Sequence, residues 1–151
     1  MSELKTTPDS YDNDSSQALF DVTPETAKYW ESTKRQKLSV PLCESCEAPF
    51  FYPRSRCPRC GEIVARWIEL TGRGFLYSFG VDHSRKSPVG DGPLVIALID
   101  LVEGVRMMSN LVEWIGRAED IEIGTPVCVR WVEQGGWKLP MFSPTHEEVR
   151  L

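Results

Sequence analysis

Histidine is almost missing from this chain: there are two in 151 residues, His83 and His146. A catalytic nucleophile–base pair or an imidazole-rich metal site needs a histidine in a telling context, and neither has one. His83 reads as the edge of a glycine- and proline-rich loop from Asp82 to Pro93, and His146 belongs to the C-terminal tail. A phosphate-cradling glycine loop, a dinucleotide fingerprint and a serine-hydrolase elbow are equally absent. The longest apolar run, Leu94 to Ile99, falls far short of the roughly 20 residues of a membrane span. Positive charge is not in excess either. The net charge is −5, which is not the footprint of a general nucleic-acid binder. With no secretory signal in its first residues, the protein is expected to be cytoplasmic and to have no membrane contact.

What the chain does have is four of its five cysteines in one short stretch, Leu42 to Gly61. Cys43 and Cys46 form one Cys-x-x-Cys pair, Cys57 and Cys60 a second, with ten residues between them. Each pair sets two thiolates on one side of a tight turn, and two such turns facing each other make a tetrahedral sulfur site for one metal. Gly61 follows the second pair, where inward-turning amides favour a positive φ; Glu47 stands at the matching place in the first. A structural zinc ion suits this spacing best, although a single iron fits the same four sulfurs. An iron–sulfur cluster calls for other spacings, and a thioredoxin-like motif for a β-α-β setting that is not apparent. Disulfides would leave Cys128 over and need an oxidising compartment. A closed four-thiolate site leaves no position for substrate. Its binding energy, about 10–16 kcal/mol in zinc peptides, suits a segment too small to bury its own core.

The remainder divides by composition. Residues 1–22 are polar and acidic and are expected to be disordered. Residues 23–38 read as a helix: Thr23 is the N-cap, Pro24 the first helical position and Glu25 an acid in the first turn, with Lys34, Arg35 and Lys37 at the C-terminal end. Its thin apolar content, Ala27, Tyr29 and Trp30, suits a helix laid on its own domain or one docking a second protein. Residues 39–66 form the ribbon. From 67 to 151 the period changes to two, and about five strands with an interruption near Ile115 to Ile123 fit a closed OB-type barrel, so the chain as a whole is mainly β. Phe75, Tyr77 and Phe79 are expected on one strand face, filling the barrel or covering the ribbon; in an OB-fold such a face can also stack bases, which keeps a single-stranded nucleic-acid module as an alternative. Leu94 to Ile99 is apolar on both faces, so its outer side needs cover from the ribbon, the N-terminal helix or a partner subunit. With little of a 151-residue chain left over, a partner is expected. Cys128 reads as a small packing residue.

The order of parts is distinctive. A helix is followed by Cys43-Glu44-Ser45-Cys46, Tyr52-Pro53-Arg54, Cys57-Pro58-Arg59-Cys60, Trp67-Ile68-Glu69-Leu70-Thr71-Gly72-Arg73-Gly74, and a barrel ending in Leu139-Pro140-Met141-Phe142-Ser143-Pro144. Over residues 24–145 it resembles the acyl-CoA-associated family of rubredoxin-like zinc-ribbon plus OB-fold proteins. The resemblance implies a non-catalytic partner of a thiolase-like or lipid-transfer-protein-type enzyme subunit, such as an aldolase that cleaves the side chains of steroid CoA thioesters. The partner would supply the catalytic residues, and acyl-CoA would be met through the complex. Lys34, Arg35, Lys37, Arg54, Arg56 and Arg59 could draw CoA phosphates. A stand-alone enzyme acting on acyl-CoA through His83 is a further alternative.

Overall fold

The computed structural model describes residues 21–64, 66–146 and 149, so the expectation of a disordered acidic tail over 1–22 falls almost wholly outside the described residues. Helix α1 spans Pro24–Lys34. The Thr26 hydroxyl accepts the Thr23 N–H at 3.0 Å, which satisfies one of the orphan amides of the first turn. Thr26, Tyr29, Trp30 and Thr33 are all buried, and their spacing of three, four and seven residues forms the stripe that packs inward. The helix ends at Lys34, short of the 23–38 read from sequence. Gln36 takes a φ of 58°, the Gln36 N–H bonds to the Thr33 carbonyl at 2.8 Å and the Lys37 N–H to the Ser32 carbonyl at 3.0 Å. This is a Schellman end built on glutamine instead of glycine, and it swings the chain straight into the first strand.

Strands β1 (Leu38–Cys43), β2 (Ala48–Pro49) and β3 (Arg66–Leu70) make a three-stranded sheet in the order β2-β1-β3. The β1–β3 ladder runs from Leu38 opposite Leu70 to Leu42 opposite Arg66. Trp67 to Leu70, read from sequence as the first stretch of the barrel, therefore pairs with the ribbon's own strand. Single-strand periodicity carries no information about which neighbour a strand will choose.

A closed barrel follows, with the strand order β4-β5-β6-β8-β7: β4 is Arg73–Lys86, β5 Pro93–Leu101, β6 Arg106–Leu111, β7 Pro126–Gln134 and β8 Trp137–Pro144. A mainly β chain with one N-terminal helix, a ribbon and an OB-type barrel is thus what the chain forms. Gly104 makes the tight β5–β6 turn at φ 82°, with its N–H on the Leu101 carbonyl at 2.9 Å. Gly74 is needed for another reason, since a side chain there would strike the Asp100 backbone on β5. The expected loop from Asp82 is shorter than read. Strand β4 continues through Lys86, so His83 is an exposed strand residue.

The main core is continuous across the parts. Tyr29 and Trp30 from α1, Leu38, Val40 and Leu70 from the ribbon sheet, and Leu76, Ile99, Leu111 and Phe142 from the barrel belong to one buried cluster. Helix α1 thus packs within its own chain. A second, smaller cluster holds Cys43, Phe50 and Cys57.

Candidate metal centre

Two turns build the centre. Strand β1 delivers Cys43 at its end, and the chain turns through Glu44 and Ser45 to Cys46. Glu47 then adopts φ 49°, the left-handed conformation that Gly61 takes at φ 79° after the second pair. The first turn is therefore built like the second, but a side chain sits in a conformation that glycine tolerates at lower cost. In the second turn the Gly61 N–H bonds to the Cys57 carbonyl at 2.9 Å, and the Arg56 guanidinium donates to the Gly61 carbonyl at 3.0 Å.

These turns bring the Cys43, Cys46, Cys57 and Cys60 sulfurs within 4.8 Å of one another. Cys43 lies 3.5 Å from Cys60, Cys46 3.6 Å from Cys57 and 3.8 Å from Cys60. A tetrahedron with metal–sulfur bonds of about 2.3 Å has edges of about 3.8 Å, so the set fits one tetrahedral metal. Burial alone would raise the Cys57 thiol, but the backbone N–H groups of Cys60 and Arg59 outweigh it and hold the thiol down to about 6. The Arg59 N–H lies 3.4 Å from that sulfur. The Cys46 and Cys43 thiols add to that pull on Cys57, while the Cys43 thiol and burial push Cys46 up to about 12, so the four close sulfurs share protons that metal binding has to displace. Cys43 and Cys57 are buried under Phe50, whereas Cys60 is exposed.

The aromatic run after Pro49 splits its work. Phe50 packs on the cysteine cluster, while Phe51 and Tyr52 pack on Tyr29 at ring-centre distances of 5.6 and 6.0 Å. The Trp30 indole N–H donates to the Tyr52 hydroxyl at 3.1 Å. Lys28 stands 5.3 Å from the centre of the Trp67 ring on β3 and Lys34 4.7 Å from that of Trp137 on β8. Helix α1 therefore holds the ribbon sheet with one lysine and the barrel with another. Sequence reading missed Trp137 as an anchor for α1, because nothing local pairs residues 107 positions apart.

Other expected site residues scatter. Arg35 is paired with Glu31 at 3.0 Å and Lys37 with Glu69 at 2.8 Å, and Arg54 lines a shallow hollow with Lys28. Arg35 and Lys37 share a second hollow with that same Lys28, Lys34 lies on the Trp137 ring and Arg56 on the Gly61 carbonyl, and Arg59 belongs to the second cysteine turn. The three aromatics of β4 do not share a face. A β-bulge between Leu76 and Ser78 makes Tyr77 the extra residue, so Phe79 packs against the core while Tyr77 is 47% exposed. Phe75, opposite Asp100, is left half-buried. A bulge shifts every later side chain to the other face, and this one breaks up the base-stacking platform. His146 lines a cavity of about 290 Å³ with Trp114 and Glu122, and Cys128 is half-buried with its sulfur 3.9 Å from the Ser143 hydroxyl. Among the described residues, no helix is long and apolar enough to cross a membrane.

Comparison with known proteins adds a family. Residues 30–63 match the family model described as the ChsH2 rubredoxin-like zinc ribbon domain, and residues 67–132 match the ChsH2 C-terminal OB-fold domain. A probable enoyl-CoA hydratase alpha subunit of Thermomonospora curvata is 36% identical over 125 residues, which are 82% of this chain and 38% of that one. This chain thus spans under two fifths of that relative's length. A DUF35 domain-containing scaffold protein of Methanocaldococcus jannaschii is 34% identical over 101 residues, covering 65% of this chain and 70% of its own. A solved structure described as an Ltp2-ChsH2(DUF35) aldolase superposes with a TM-score of 0.71 at 34% identity, covering 82% of this chain and 96% of the matched one.

Proposed function

Because the chain belongs to the ChsH2, or DUF35, family of rubredoxin-like zinc ribbons joined to OB-folds, we propose that it is the non-catalytic scaffold subunit of a two-component enzyme. Its partner is a thiolase-like, lipid-transfer-protein-type subunit acting on an acyl-CoA thioester, and a steroid side-chain aldolase is the leading case. The observation that carries the reading is the match over 96% of a chain whose structure is described with a second component, Ltp2. The metal is structural zinc held by Cys43, Cys46, Cys57 and Cys60. It would hold two turns in place and supply no reactive position, since four thiolates complete its shell.

Co-expression with a thiolase-like subunit followed by size exclusion tests the assembly. A co-eluting complex containing about one zinc per chain is expected. A monomer that never shifts, or turnover of a CoA thioester by this chain alone, overturns the scaffold reading and favours a stand-alone enzyme.

A further inference from the structure

An open apolar groove of about 380 Å³ runs along the seam where β6 and β8 part. The two strands share one ladder pair, Leu111 with Phe142. Beyond it Met107, Met108 and Met141 line a cleft walled by Tyr29, Trp30 and Tyr52. The cleft is braced on both sides. The Ser109 hydroxyl donates to the Pro140 carbonyl at 2.6 Å, and Trp30 donates to Tyr52 at 3.1 Å.

Met108, 65% exposed, forms one lip. From there the apolar surface continues onto the outside of the barrel. Met108 stands opposite Leu98 on β5 and shares its face with Ile96, which is 43% exposed. This is the outer side of the run that sequence marked as needing cover. A polar border lies beside it: Arg106 donates twice to Asp100, at 2.6 and 2.8 Å, and its guanidinium stacks 3.3 Å from the centre of the Tyr77 ring.

We propose that this groove and the adjoining Ile96–Met108 face form the surface on which the enzyme subunit docks, an inference that rests on the function proposed above. Small-molecule sites enclose most of their ligand, whereas this cleft opens onto an outer barrel face that no small ligand could cover. An apolar centre bordered by the Arg106–Asp100 pair and Tyr77 has the anatomy of a protein–protein interface, and Met108, exposed above the buried Met107 and Met141, can adapt to a partner's contours. A different protein, not a second copy, is the occupant, because the solved relative is described as a two-component aldolase and the hydratase relative carries this fold as 38% of a longer chain.

The metal centre bears on the same surface. Phe50 covers the sulfurs, and the next two residues, Phe51 and Tyr52, line the groove. Loss of the metal should therefore loosen one wall.

The test uses the full chain with its metal and a co-purified thiolase-like subunit, with affinity read by calorimetry. Met108→Glu and Ile96→Glu alter exposed side chains, so the fold should persist. Each is expected to weaken binding at least tenfold, as is chelation of the wild type. Ile115→Glu, at a 98% exposed position on a different loop, should bind as the wild type does. Binding by both face variants within twofold of wild type, or weakening by Ile115→Glu alone, overturns the proposal. It is also overturned if Met108→Glu dissolves a homodimer but leaves enzyme binding intact. A wild-type chain that binds no such enzyme refutes the underlying function, a result distinct from failure of this surface alone.

Discussion

Glu47 carries the clearest cost at the residue scale. Its φ of 49° places a Cβ where glycine is free of penalty, at roughly 1 kcal/mol for an ordinary residue. The strain is confined to the turn that presents Cys43 and Cys46, so removing it should show up as tighter metal binding. Glu47→Gly is expected to raise zinc affinity about two- to fivefold, less than the full strain because glycine also loses more freedom on folding. Competition against a coloured chelator measures it, and an unchanged or weaker affinity would mean that the Glu47 side chain contributes something glycine cannot replace. Sequence showed the missing glycine at this position. Only the backbone showed that the turn keeps the left-handed geometry regardless.

Helix α1 is the element that ties ribbon to barrel. It is short, and helices of this length rarely persist without tertiary contacts. Its stability comes from Tyr29 and Trp30 packed in the shared core, and from Lys28 and Lys34 reaching tryptophans on opposite units. Trp137 meets the Trp30 ring at 5.7 Å and also receives Lys34. Trp137→Ala should cost about 2–3 kcal/mol, less than truncation of a fully buried tryptophan because this ring is partly exposed. A lowered denaturant midpoint would record it, with faster hydrogen exchange in α1 while β4 and β5 stay protected. A change spread evenly over the barrel would refute the view of Trp137 as an anchor for the helix. The sequence marked this helix by its cap and its first-turn proline, but its end depended on Gln36 accepting a conformation that composition does not advertise.

Among the described residues, two clusters of unequal reach hold the fold together. The large one is continuous from α1 through the ribbon sheet into the barrel, and the small one is confined to Cys43, Phe50 and Cys57. Chelation should therefore act locally. Amide protection is expected to vanish over residues 43–64 and to persist on β5, β7 and β8; global unfolding on chelation would show that the barrel core cannot stand without the metal. By itself the sequence determined the cysteine spacing and hence the four-sulfur centre, the helix start and the strand-rich remainder, because each follows from short-range patterns of a few residues. Tertiary structure alone decided that β3 joins the ribbon sheet, that a bulge at Tyr77 turns Phe79 inward and leaves Tyr77 out, and that the β6–β8 seam opens into a methionine-lined groove. Those outcomes depend on register and on contacts between residues far apart in the chain, which a local pattern cannot encode.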